Sequence, residues 1–337
     1  MTPPFAAPPS ATSGPRLLGD IGGTHARFAW QSAPGAALTH VADLPTAAYP
    51  TLAQAASAYL QQGPRQPPQD AAIAMASPVT GDAVRMTNHG WSFSVAALRA
   101  ELGLRHLRVL NDFTALALGL PDLPATALRP LGAGRAVPGK AIALIGAGTG
   151  LGVSGLLPDG RGGWVPLEGE GGHVTLPASS AREHAVLAVL ARQYGHVSAE
   201  RVLCGAGLLA LYAALCELDG VAPVRHDAAR LSAQALQPGG DARALETLTL
   251  FCGWLGSIAG NLALTLGALG GVYIGGGIVP RWGAWLDASP LRARFEAKGR
   301  YAGYLAGVPV WVIQTEVSPA LLGAARALDA GAWGVAA

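Results

Sequence analysis

The chain has 337 residues, half of them apolar and 13% charged, with a formal net charge of +2. At about 150 residues per domain this length predicts two domains with ample apolar material for their cores, and so small a charge argues against nucleic acid or an anionic membrane as a partner. Three widely spaced cysteines, Cys204, Cys216 and Cys252, fit neither a disulfide framework nor a zinc cluster; they read as buried thiols of a cytoplasmic protein.

Residues 1–15 are uncharged and rich in Pro, Ala, Ser and Thr, which predicts a flexible tail and lacks the basic start of a secretory signal. A strand-like run at 17–20, a glycine turn and a second run at 27–30 follow. Helical patterns at 51–61, 95–102 and 114–120 then alternate with strands at 72–75 and 107–110. The Pro-rich stretch 121–138 reads as a boundary. Beyond it come strands at 141–145 and 153–157 and helices at 183–194 and 207–218, then a long loop within 221–240. A helix at 242–267, strands at 272–274 and 308–313 and a helix at 319–328 complete the chain. The uncharged stretch 253–280 is long enough to cross a bilayer. Gly270-Gly271 and Gly275-Gly276-Gly277 interrupt it, so it reads as a buried helix followed by a core strand, with no membrane span. Strands and helices with a glycine turn opening each half imply an α/β protein of two related domains.

The two turns are the most informative feature. Asp20-Ile21-Gly22-Gly23-Thr24 and Gly146-Ala147-Gly148-Thr149-Gly150-Leu151-Gly152 each lie between a strand and a returning strand. Backbone N–H groups approach an anion closely only where no Cβ intervenes, so both turns are candidate phosphate clamps for a nucleotide. P-loops and dinucleotide folds instead run from the glycine loop into a helix.

Polar residues near these turns carry the candidate chemistry. Asp20, beside a phosphate turn, reads either as a turn-forming Asp or as a Mg²⁺ carboxylate. Asn111-Asp112 sits between a strand and a helix, so Asp112 reads either as a helix cap or as a general base accepting a hydroxyl proton. Glu170 and His173, among glycines in Glu168-Gly169-Glu170-Gly171-Gly172-His173, suit the adjacent hydroxyls of a sugar better than a metal. Ser198 reads as a helix cap and Glu200 as a first-turn acid favoured by the helix dipole.

Together these motifs carry a resemblance. With Met86-Thr87-Asn88-His89, Asn111-Asp112-Phe113-Thr114-Ala115, residues 195–201 and residues 270–280, the chain resembles the bacterial glucokinases of the hexokinase group, in the actin-like ATPase superfamily, over nearly all its length after the tail. The resemblance implies two ribonuclease H-like domains with an interdomain cleft: a smaller one of residues 16–122 plus 315–334, and a larger one of residues 123–314. It implies ATP-dependent phosphorylation of D-glucose at the 6-hydroxyl, the first step of glycolysis. Asp112 would be the base, and Asn111, Asp112, Glu170, His173 and Glu200 would bind the sugar. Asp20, Gly22, Gly23, Thr24, Gly148, Thr149 and Gly150 would hold the ATP phosphates, Gly275, Gly276 and Gly277 the nucleoside, and Asp20 would position Mg²⁺. A homodimer follows from the same likeness. His25, Glu168 and Cys204 stand where relatives commonly carry Asn, Pro and Ser. Zinc-binding relatives carry a cysteine cluster after Gly-Gly-His that this sequence lacks, so no zinc is expected. A sugar-sensing repressor would need a DNA-binding domain, and an actin-class assembly protein would not need Glu170 and His173.

Overall fold

The computed structural model describes residues 14–64 and 66–329. The expected tail lies outside them except for residues 14 and 15, as do residues 330–334 of the expected smaller domain. The chain forms two compact units, Met1–Pro124 with Thr315–Ala337, and Ala125–Gln314.

In the first unit the strands are β1 (Arg16–Ile21), β2 (His25–Gln31), β3 (Leu38–Pro45), β4 (Asp70–Met75), the short ribbon β5 (Ala83–Arg85) and β6 (Ser92–Ser94), and β7 (His106–Asn111). The main sheet has the order β3-β2-β1-β4-β7. β2 runs antiparallel to β1 and β3, while β1, β4 and β7 are parallel. All six residues of β4 are buried, which is why it reads as an almost unbroken apolar run. Alternation along β1 sends Leu17 to one face and Leu18 to the other. Leu17 joins Phe28 and Ile73 against Leu52, Ala55 and Tyr59 of α1 (Leu52–Gln62). Leu18 joins Ala29 and Ala72 against Leu321, Ala324 and Leu328 of the C-terminal helix Pro319–Asp329. The first unit also holds α2 (Val95–Glu101) and α3 (Asp112–Gly119). The C-terminal helix crosses α3 so closely that a side chain at Gly323 would meet the Ala115 carbonyl.

The second unit contains β8 (Leu128–Pro130), β9 (Ile142–Ala147), β10 (Leu151–Pro158), β11 (Trp164–Pro166), β12 (Val272–Gly275) and β13 (Val310–Ile313), in the order β11-β10-β9-β12-β13-β8. Its first five positions repeat the first unit's plan: an antiparallel hairpin whose inner strand continues into two parallel neighbours. Eight helices belong to it among the described residues: α4 (Ala181–Tyr194), α5 (Ala199–Val202), α6 (Gly205–Leu218), α7 (Ala228–Ala235), α8 (Ala242–Leu266), α9 (Trp285–Ala288), α10 (Leu291–Glu296) and α11 (Ala302–Ala306). α8, long and apolar enough to cross a membrane, has 72% of its most apolar window buried in the protein. Phe251, Trp254, Leu255 and Ile258 pack into the unit's core, and Gly267 ends the helix in a left-handed conformation.

Several elements differ from expectation. Residues 221–240 contain α7, a short helix capped by Asp227, whose Oδ1 accepts the Arg230 amide at 2.7 Å. It buries only Leu231 and Ala235, too few to give a helical pattern. β13 starts at Val310, since Pro309 offers no N–H to a ladder. β3 exposes most of its side chains, and β5, β6, β8 and β11 span three residues each, so none of them has an apolar signature.

Candidate active site

In the first unit, the first glycine turn closes the β1–β2 hairpin. Gly22 N donates to His25 O at 2.8 Å and the Thr46 hydroxyl donates to Gly23 O at 2.9 Å, which leaves Thr24 at the exposed tip. Asp20, next to last in β1, lies directly across the ladder from Arg27. Arg27 Nη1 lies 3.7 Å from Asp20 Oδ2, and its Nε donates to Asp43 at 3.1 Å. Asp43 also receives His25 Nδ1 at 2.8 Å. Burial pushes the Asp20 carboxyl above the usual carboxylate range, against the opposing pull of the Ser318 hydroxyl and Arg27.

Asn111 ends β7 and caps α3. Its Oδ1 accepts the amides of Phe113 at 2.9 Å and Thr114 at 3.2 Å. The capping reading of Asp112 therefore passes to Asn111, and α3 begins two residues earlier than its apolar pattern suggests. Burial, and next the charge of Asp20, push the Asp112 carboxyl up to about 7. A carboxylate in that range can both accept and release a proton near neutral pH. Asp20, Asn111, Asp112 and the first turn thus share one region of the first unit.

In the second unit, the second turn, Gly148 to Gly150, closes the β9–β10 hairpin, with Gly148 N donating to Gly150 O at 2.8 Å. β12 pairs with β9 up to Gly275↔Gly146. Gly276 follows with φ +83°, a conformation that suits glycine, and Ile278 N donates to Ala147 O at 3.3 Å. The Gly275-Gly276-Gly277 run thereby lies against the second turn. Backbone pairing of residues 174–176 with 197–199, through Ala199 N to Val174 O at 2.8 Å and Leu176 N to Val197 O at 3.0 Å, draws the two remaining motifs together. His173 Nε2 lies 3.9 Å from Glu200 Oε1, and Glu170 is exposed one short turn away. Ser198 caps α5 as expected, accepting the Arg201 amide at 3.3 Å. Glu200 does more than meet a helix dipole: its Oε2 accepts the Leu151 amide at 2.9 Å. Cys204 Sγ accepts the Gly207 amide at 3.3 Å, capping α6 in a role that a serine hydroxyl fills.

Sequence reasoning missed Arg27, Asp43, Thr46 and Ser318. Arg27 had a usable signal, because a tight hairpin sets Asp20 opposite it; no local pattern links Ser318 to Asp20.

Two mixed sheets, each presenting a glycine turn, with a carboxyl raised by burial in one unit and a His–Glu pair in the other, are in keeping with a small-molecule kinase. The family model described as Glucokinase matches residues 17–331, and the chain belongs to the glucokinase family. It is 56% identical over 317 residues to a glucokinase of Aromatoleum aromaticum, covering 94% of this chain and 95% of that one. A crystal structure of glucokinase from an Antarctic psychrotroph superposes with a TM-score of 0.85 at 37% identity, covering 94% of this chain and 99% of the other. A ROK family glucokinase from Streptomyces griseus, solved in complex with glucose and AMPPNP, shares the fold at a TM-score of 0.60 and 20% identity, covering 93% of this chain and 99% of the other.

Proposed function

We propose that this chain transfers the γ-phosphoryl group of ATP to the 6-hydroxyl of D-glucose, giving glucose 6-phosphate and ADP as the first step of glycolysis, with Asp112 as general base. The observation that carries this reading is the Asp112 carboxyl, pushed up to about 7 at the start of a helix that Asn111 caps. Glucose and an ATP analogue bound to the Streptomyces griseus relative support the choice of substrates. We assign both units to the ribonuclease H-like domains of the actin-like ATPase superfamily on the strength of the repeated strand order.

Asp112 accepts the hydroxyl proton as the oxygen attacks phosphorus, and the proton stays on its carboxyl until product leaves. Asn111, Glu170, His173 and Glu200 hold the sugar hydroxyls, fixing the reacting one. Backbone amides of Gly22, Gly23, Thr24, Gly148, Thr149 and Gly150 take the phosphates, and Gly275 to Gly277 take the nucleoside. Two carboxyls each raised by burial, with the charge of Asp20 felt at Asp112, fit a site that receives a cation. Asp20 would hold Mg²⁺, which in place screens the charge of the phosphoryl group. We further propose a cytoplasmic homodimer: the three free, buried cysteines suit a reducing compartment, and sedimentation velocity reads the assembly.

The test is glucose 6-phosphate formation from glucose and Mg-ATP in a dehydrogenase-coupled assay, with sugar-free and Asp112→Asn controls. Glucose-dependent product that vanishes in the variant supports substrate and base together. Absence of product from folded protein sinks the proposal.

A further inference from the structure

The second glycine turn is gripped on both flanks by the elements that carry His173 and Glu200. On one side Glu200 Oε2 accepts the Leu151 amide at 2.9 Å, and a Cβ at Gly150 would stand 2.5 Å from that same oxygen. On the other, Gly172, one residue before His173, packs on the Leu151 carbonyl without room for a side chain. Gly205 N, just past Glu200 and Cys204, donates to Gly148 O at 2.9 Å. The remaining carboxylate oxygen of Glu200, Oε1, faces His173.

We infer that Glu200 is a positioning residue for the second phosphate turn as well as a sugar ligand, so that sugar occupancy and nucleotide affinity are energetically coupled through its two oxygens. The inference rests on the proposed function and deepens it. One oxygen fixes the first amide after the turn; the other is free to take a sugar hydroxyl. A bound sugar immobilises the carboxylate and removes part of the cost of ordering the turn around phosphate. By linkage, nucleotide tightens sugar binding by the same factor.

Calorimetric titration of AMPPNP with Mg²⁺, with and without saturating glucose, tests this in the full chain. In the wild type, glucose tightens AMPPNP by about 10-fold. Glu200→Ala weakens AMPPNP several-fold even without sugar and brings the glucose effect close to none. Glu200→Gln, which keeps an acceptor for the Leu151 amide, restores the sugar-free AMPPNP affinity. His173→Ala weakens glucose but leaves sugar-free AMPPNP binding as in the wild type. Unchanged sugar-free AMPPNP affinity in a folded Glu200→Ala protein overturns the tether while leaving the sugar-site reading intact. Unchanged glucose affinity in the same variant removes the sugar-site reading, and with it the coupling.

Discussion

Asn111 caps the helix that Asp112 begins, taking the amides of Phe113 and Thr114 on its Oδ1 at 2.9 and 3.2 Å. Asp112 Oδ1 shares the Phe113 amide at 2.9 Å. Two adjacent residues of similar shape are thus set apart: Asn111 caps the helix with two amides on one oxygen, and Asp112 stands beside it with its carboxyl raised by burial.

Asp112→Asn is expected to lower kcat by at least about 100-fold while changing glucose affinity far less, because the amide keeps the size and loses the basicity. Steady-state kinetics with direct glucose titration checks this, and near-normal turnover would refute the base assignment.

The pH profile follows from the same carboxyl. The base works deprotonated, so kcat/KM should rise through about pH 7 and level off above it. Asp20 raises that value by its negative charge, so Asp20→Asn should move the acid limb to lower pH, whatever it does to the plateau. A limb that stays in place or moves upward contradicts the pairing.

Stability should run opposite to activity. Asp112 binds its proton more tightly folded than unfolded, so its contribution to stability is complete below the ordinary carboxylate range and is lost as pH rises toward about 7. Asp112→Asn, which never ionises, is therefore expected to unfold at a higher temperature than the wild type at pH 8, with the gap closing near pH 4. Calorimetry at the two pH values reads the difference.

Removing the cap tests the partner. Asn111→Ala should destabilise the protein by about 1 kcal/mol and also lower turnover, because the residue that orients α3 precedes the base. Chemical denaturation and the coupled assay separate the two effects.

Glu183, almost fully buried, accepts Arg294 Nη1 on Oε1 at 2.5 Å and the Ser179 amide on Oε2 at 2.6 Å. Arg294→Leu strands that carboxylate in the core and should cost about 3 kcal/mol, with little change in KM for the protein that remains folded. Equilibrium unfolding in urea measures it.

The glycine turns and the central strands were legible because their signals are local: apolar runs on buried parallel strands, and glycines where backbone must be bare. Helix ends were legible to within about two residues where caps such as Ser198 stand in plain sequence. The edge strand β3 was not, since its residues face solvent and mimic a loop, and α7 was hidden by its small buried face. Roles that depend on tertiary approach were least legible. Glu200 and Leu151 lie 49 positions apart, and nothing near either announces the other; Asp112 and Asn111 compete locally for the cap, and only side-chain geometry decides between them.

The C-terminal helix lays Leu321, Ala324 and Leu328 against Leu18, Ala29 and Ala72 of the first sheet. During synthesis that sheet emerges first and waits, one face bare, while the whole of the second unit is made and can fold as one continuous stretch. The order in which the ribosome delivers the chain is thus the reverse of the order in which its units can be finished.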